Sequence, residues 1–201
     1  MLSPVLIAPP AATPVDLATA KAHLRVETSA EDTLIASIIA TATEHLDGRT
    51  GILARALITQ DWRQDFADFA CLRLPLAPVQ SVVSLKYFDQ AGAEQTVDPG
   101  TYVLRTDALG PYVALAPATT AVNPAWPSGL QSRPDAVRVT FRAGYGNAPA
   151  NVPAPIRQAI LLMAGAYYEH REELITGTIV NPLPAGVAAH ALLAPFRRNL
   201  L

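Results

Sequence analysis

The sequence predicts an α+β fold in which a small helical framework, built from both chain ends, is interrupted by an inserted, mainly antiparallel β block. Apolar residues recur at helical spacing near both ends, whereas the middle contains short segments that alternate apolar and polar residues. Because helices and strands come in separate runs, the pattern favours α+β over α/β. We expect residues 1–13 to form an extended arm, residues 14–56 and 146–201 the helical core, and residues 57–145 the β domain.

The first two helices have recognisable start signals. Thr13 is the expected N-cap of the first helix, which places Pro14 in its first turn and ends it near Leu24. Ser29 is the expected cap of the second helix, and glycines 48 and 51 end it. Its apolar residues share one face at helical spacing, and this buried stripe is predicted to comprise Leu34, Ile35, Ile38, Ile39, Ala42 and Leu46.

The remaining elements follow from the spacing of apolar residues and from the turn-forming residues between the segments. Strands are predicted over 56–66, 72–74, 79–88, 94–97, 102–104, 112–115 and 137–142. In the third of these, the alternation predicts that Val83, Leu85 and Tyr87 share one face. Residues 117–135, rich in Pro, Asn, Ser and Gly, are expected to form a long loop. Helices are predicted again over 155–173 and 187–194.

Composition limits the class of protein. Hydrophobic residues make up 50% of the chain and charged residues 16%, below the roughly 25% that is usual in soluble domains. Apolar surface left uncovered by charge favours assembly with another chain, although abundant Ala also inflates the hydrophobic fraction. A net charge of −2 without a clustered basic face argues against tight nucleic-acid binding. No signal peptide or membrane span is expected, and the single cysteine, Cys71, is expected to be a small buried hydrophobe.

No catalytic, cofactor-binding or metal-binding constellation is predicted. The four histidines, at positions 23, 45, 170 and 190, lack the i, i+4 spacing of a zinc-binding helix. Asp61, Asp65 and Asp68 lack a glycine-centred loop of oxygen ligands, so edge protection and turn chemistry explain them better than a cation. Gly144-Tyr145-Gly146 lacks a Walker lysine and is interpreted as a turn.

The C-terminal segment and one tryptophan are the candidate docking residues. The last residues combine apolar and basic side chains where order normally fails: Leu192, Leu193, Phe196, Arg197, Arg198 and Leu200. Two interpretations stay open: the tail folds back on its own chain, or it docks on another protein through apolar anchors and arginine pairs. The other aromatic residues are interpreted as core, and Trp126 as an exposed anchor for a partner.

Four stretches, in this order along the chain, are informative together: DLATAKAHLR (16–25), EDTLI (31–35), ALITQDW (56–62) and VPAPIRQAILL (152–162), with support from LAPVQSV (76–82) and AGYG (143–146). This set resembles the head–tail connector, or head-completion adaptor, family of tailed phages and phage-like gene transfer agents. The likeness covers roughly residues 14–172, and no single motif carries it. The long β block departs from the shorter, nearly all-helical members of this family.

The resemblance implies a structural subunit without an active site. It implies a ring, commonly twelve-fold, fixed between the portal of a phage-like capsid and the neck or tail. Double-stranded DNA would pass through the lumen without sequence-specific binding. The protein would be made in a bacterial cytoplasm and located in the particle neck, with the portal and a neck or tail protein as partners. Alternatives are a neck stopper or tail-completion protein and, from another class, a small hydrolase with a noncontiguous site.

Overall fold

The computed structural model describes residues 2–119, 123–170 and 184–198. The chain forms two compact units. The helical unit comprises Pro10–Ile58 and Tyr145–Leu201, and the β unit comprises Met1–Pro9 and Thr59–Gly144. The predicted α+β class, with helices at both ends and a β block between them, is confirmed.

Four α-helices are present among the described residues of the helical unit: α1 (Leu17–Leu24), α2 (Asp32–Leu46), α3 (Ala154–Glu169) and α4 (Pro184–Leu193). Short 3-10 turns occupy Pro149–Asn151 and Ala194–Phe196. The expected third helix reached Glu173, and its last three residues lie outside the described ranges. Gly51 makes the turn after α2 possible, because a Cβ there would lie 2.3 Å from the Asp47 carbonyl oxygen.

One apolar core holds these helices together. The predicted stripe of α2 is largely confirmed, since Ile35, Ile39 and Leu46 are buried. Leu34 is the exception: it lies in the first turn of the helix, outside the buried face, and is exposed. From the other end of the chain, α3 contributes Ile156 and Ile160 to the same core. Neither chain end could bury this much apolar surface alone, so the two ends fold as one body.

Both predicted helix caps were wrong. Asp16, and not Thr13, is the N-cap of α1, and its side chain accepts a 2.7 Å hydrogen bond from the Thr19 N–H. The Thr13 hydroxyl instead donates to the Val15 carbonyl. Helix α2 begins after Glu31, two residues later than a Ser29 cap allows. An acidic residue therefore occupies the N-cap of both helices, although Glu31 makes no side-chain cap hydrogen bond.

The β unit contains two antiparallel sheets. The strands are β1 (Val5–Ala8), β2 (Gln60–Phe66), β3 (Leu72–Arg73), β4 (Val79–Phe88), β5 (Glu94–Thr96), β6 (Tyr102–Asp107), β7 (Gly110–Leu115) and β8 (Val137–Ala143). Five of them form a sheet in the order β1-β2-β8-β4-β5, and three form a sheet in the order β3-β7-β6. Strand β1 lies within the segment expected to be an extended arm, and it pairs with β2.

Register gives the five-stranded sheet one apolar and one polar face. Trp62 pairs with Phe141 and Leu85 with Val139 on the apolar face, whereas Asp61 pairs with Arg142 on the other. The expectation that Val83 shares the face of Leu85 was wrong, because Val83 is 50% exposed. Register shifts at Val79/Ser81 and Val82/Ser84 break the strict alternation of β4.

Two further expectations in the β region were wrong. Strand β2 begins at Gln60 and not near residue 56, because Leu57 and Ile58 are buried in the core of the helical unit. Cys71 is exposed, not buried. Its neighbour Leu72 is the buried residue at that point and pairs with Val113, so the adjacent cysteine lies on the opposite side of the extended chain.

Candidate functional site

The C-terminal segment folds back onto the helical unit. Leu193 is 1% exposed and belongs to the core, and the half-buried Leu192 and Phe196 pack against that core. Leu200 lies outside the described residues. Of the two interpretations left open by the sequence, the fold-back on its own chain therefore holds for residues 192–198. Whether the segment also docks on another protein stays a prediction.

Two hydrogen bonds to backbone carbonyl groups, one from a side chain and one from the backbone, tie this segment to the turn that follows α2. The Arg55 Nε donates to the Phe196 carbonyl at 2.6 Å, and the Arg198 N–H donates to the Leu53 carbonyl at 3.3 Å. These two contacts join residues more than one hundred and forty positions apart. A 3-10 turn with Pro195 in its first positions directs the chain out of α4 and toward this anchor.

Positive charge is concentrated where the segment is anchored. Burial lowers the pKa of Arg198, and the nearby charge of Arg55 lowers that pKa further. Burial also raises the pKa of Tyr145, against the opposing effect of Arg55. Arg197 is exposed beside them. Planar guanidinium groups suit bidentate pairing with carboxylates, so this surface is chemically suited to an acidic group on a partner.

Trp126 lies within the β unit's own packing and is only half-exposed. Its ring stacks on Phe69 with a centroid distance of 4.8 Å and an angle of 4° between the planes. Phe69 in turn meets Tyr87 edge-on at 6.0 Å. One role of the tryptophan is therefore to cover Phe69, which is 8% exposed. Its role as an anchor for a partner stays a prediction.

The candidate acidic residues take part in local pairing. The Arg142 guanidinium donates to both carboxylate oxygens of Asp61, at 2.8 and 2.9 Å, and lowers the pKa of that carboxyl group. Asp65 accepts two bonds from Arg63, and Asp68 accepts a bond from the Ala70 N–H in a turn. Among the residues that the structure describes, no three His, Cys, Asp or Glu side chains are grouped closely enough to hold a metal ion.

Sequence reasoning missed a charged network on the polar face of the five-stranded sheet. Arg133 pairs with both oxygens of Asp135 at 2.6 and 2.7 Å, and Arg138 bonds both Asp135 and Glu94. Both guanidinium groups lie over the ring of Phe88, at 4.0 and 4.6 Å from its centroid. The arginines hold the pKa of Asp135 at about 2. The alternation of arginine with valine in β8 predicted the polar face of the strand, but not which carboxylates its arginine side chains bond.

None of the helices among the described residues combines the length and the apolar character needed to cross a bilayer.

Residues 14–97 match the family model described as "Phage gp6-like head-tail connector protein". The predicted resemblance to the head–tail connector family is confirmed. The match runs from the start of the helical unit through β5, so the likeness to head–tail connectors includes half of the β block as well as α1 and α2.

Solved structures extend the likeness to the whole chain. A chain in "Neck of empty GTA particle computed with C6 symmetry" is 27% identical with a TM-score of 0.72, and the alignment covers 100% of this chain and 97% of that one. Coverage is the same for "Virion of native gene transfer agent (GTA) particle", at 27% identity and a TM-score of 0.71. A chain in "Neck of native GTA particle computed with C12 symmetry" is 26% identical, with the same coverage and a TM-score of 0.64. No curated protein sequence matches the chain.

Proposed function

We propose that this protein is a structural head–tail connector subunit in the neck of a phage-like particle, where it forms a ring with copies of itself. One observation carries the proposal: chains of gene transfer agent neck and virion structures match the entire length of this chain in fold, at 27% identity. Because both units are included in the match, the likeness is not that of one common domain. The role is structural and not enzymatic.

The ring is proposed to be twelve-fold and to continue the DNA channel between the portal and the tail. Symmetry supports a ring, since similar neck structures were computed with C6 and with C12 symmetry, and the latter is compatible with twelve subunits. Twelve copies at −2 give 12 × (−2) = −24 for the ring. A wall without net positive charge releases few counterions from passing DNA and therefore does not retain it. Duplex DNA would then move through the lumen without sequence-specific binding.

The helical unit is proposed to be the connector core, and its C-terminal segment the part that meets the portal. Leu193 faces the core and is not available to a partner. The available groups are the exposed Arg197 and the half-exposed Leu192, Phe196 and Arg198. An acidic or mixed acidic and apolar surface on the portal would complement them.

Imaging of the protein on its portal tests the connector role. Purified chain mixed with portal rings should form an added ring layer beneath the portal, visible by electron microscopy. Binding to an already formed connector ring, with no affinity for the portal itself, would instead identify a neck stopper or tail-completion protein. A chain that remains monomeric with both preparations would overturn the proposal.

Charge reversal at Arg197 tests the docking segment. Because Arg197 is exposed, Arg197→Glu should leave folding unchanged and weaken attachment to the portal at least tenfold. Arg105→Glu, an exposed arginine of the β unit, is the matched control and should attach normally. Deletion of residues 192–201 is not a clean test, because it removes the buried Leu193. Equal attachment of both variants would exclude a role for the basic part of this surface in attachment to the portal.

A further inference from the structure

The first strand of the β unit exposes an unusual amount of apolar surface. Leu2, Val5, Leu6 and Ile7 have 42%, 43%, 43% and 51% of their surface exposed. The large exposed hydrophobic residues of the described part of the chain number nine, and these four lie within six consecutive positions. Single exposed apolar residues need no explanation, but a contiguous group marks an interaction surface.

The geometry of β1 explains why nothing within the unit covers it. It is the edge strand of the five-stranded sheet and pairs with β2 along one side only. Val5 stands opposite Arg63 and Leu6 opposite Trp62, so the exposed side chains lie on both faces of the sheet. The segment is also fixed by the buried Gln64, whose side-chain amide donates to the Leu2 carbonyl at 2.7 Å. The segment is thus held in place by backbone pairing and by the Gln64 hydrogen bond, and not by burial of its own side chains.

This edge lacks one usual protection against pairing with another chain, a charged side chain. Exposed edge strands normally carry charged side chains, but the first charged residue of the sequence is Asp16. The opposite edge, β5, is polar and includes Glu94, which pairs with Lys86. Prolines 4 and 9 flank β1 and limit its length. The edge is therefore suited to one short, apolar contact and not to open-ended sheet growth.

We infer that the β1 edge, defined as residues 2–8, is a contact surface for a neighbouring copy of this chain. The inference rests on the proposed ring, in which each subunit meets a neighbour through two different surfaces. The strand has only four residues and spans about 13 Å, so this edge alone cannot supply the roughly 1,600 Å² that a standard interface buries. Such a contact holds only where other contacts already place two molecules side by side. A ring of identical subunits supplies that arrangement.

Photo-crosslinking identifies the occupant of this edge. A benzophenone side chain in place of Ile7, in the full-length protein assembled on portal rings, should give products at multiples of the 21.3 kDa chain mass. The same group in place of Val83, an equally exposed position on β4, is the control and should give a much lower yield. Crosslinks to portal or tail protein alone, or no crosslinks above the control, would overturn the inference.

Charge substitution gives an independent readout. Leu6→Lys combined with Ile7→Lys should reduce ring completion at least tenfold, whereas Val83→Lys should leave it unchanged. Thermal unfolding of the free chains should be alike, because all three positions are exposed. If the unsubstituted chain forms no ring, the proposed function has failed. If it forms a ring and the double variant does so equally well, the β1 inference alone has failed.

Discussion

The two units of this molecule are stabilised by different means. The helical unit depends on a single apolar core to which both chain ends contribute, from Val15 to Leu193. The β unit has an apolar face too, but its other face carries a network of arginine–carboxylate pairs, among them Arg133–Asp135 and Arg142–Asp61. The stability of the helical unit should therefore be most sensitive to substitutions in its core, whereas acid should act mainly on the stability of the β unit.

The largest effect is expected from Leu193→Ala in the helical unit. Removing a fully buried leucine side chain costs about 2–5 kcal/mol, because apolar contacts are lost and a cavity remains. Urea unfolding followed by helical circular dichroism measures the loss. Val187→Ala, on the same helix but 59% exposed, is the control and should change stability by less than about 0.5 kcal/mol. Equal, small effects of the two substitutions would show that α4 is not packed on the core in solution.

An intermediate effect is expected at the cap of α1. Asp16→Ala removes the acceptor for the Thr19 N–H and should cost about 1 kcal/mol in thermal or urea unfolding. Hydrogen bonding from Thr19 also lowers the pKa of Asp16. Asp16→Asn keeps an acceptor and should recover most of the stability. If Thr13→Ala proved more costly than Asp16→Ala, the position of the cap would be wrong.

The smallest effect, and the one specific to the β unit, is expected from acid. Arg133 lowers the pKa of Asp135 from 3.8 to about 2, and Arg73 lowers that of Asp107 equally. A carboxyl group with a depressed folded pKa stabilises the fold above its unfolded pKa, and that stability is lost as pH falls. The melting temperature should therefore decline between about pH 4 and pH 2.

Asparagine at positions 135 and 107 should flatten this decline. Asp68→Asn is the matched control, because the Asp68 carboxylate bonds the backbone N–H of Ala70 and not an arginine. Melting temperatures measured across the acid range distinguish the two cases. A decline that is unchanged in Asp135→Asn and Asp107→Asn would mean that these pairs contribute nothing to stability.

The order and type of the elements followed from the sequence to a useful degree. Strand β8 was predictable because Val137, Val139 and Phe141 alternate with polar residues, and α2 because its apolar stripe has helical spacing. Start points were less predictable, since Thr13, Asp16 and Ser29 are all good cap residues in isolation. At α1 the hydrogen bond from the Thr19 N–H selects Asp16, whereas α2 begins after Glu31 without a side-chain cap bond. The sequence alone did not distinguish these outcomes.

The candidate site residues show the same limit. The apolar and basic side chains of residues 192–198 predicted a segment that packs against protein. They did not indicate whether that protein is the same chain or another one. The structure shows that Leu193 is internal and Arg197 exposed. Trp126 was marked by its size, and only the structure reveals the stack on Phe69. The exposed β1 edge was missed, because residues 1–13 have no period that distinguishes a paired strand from an extended arm.

The α+β class, the division between helical ends and β middle, and the likeness to head–tail connectors could be predicted from the amino-acid sequence. These features depend on hydrophobic period and on local motifs, which neighbouring residues encode. The exposure of Val83 and Cys71 and the burial of Leu193 became known from the folded chain. Burial depends on which distant residue lies opposite, and a bulge in β4, a two-residue strand or a turn after α4 changes that partner without changing the local pattern.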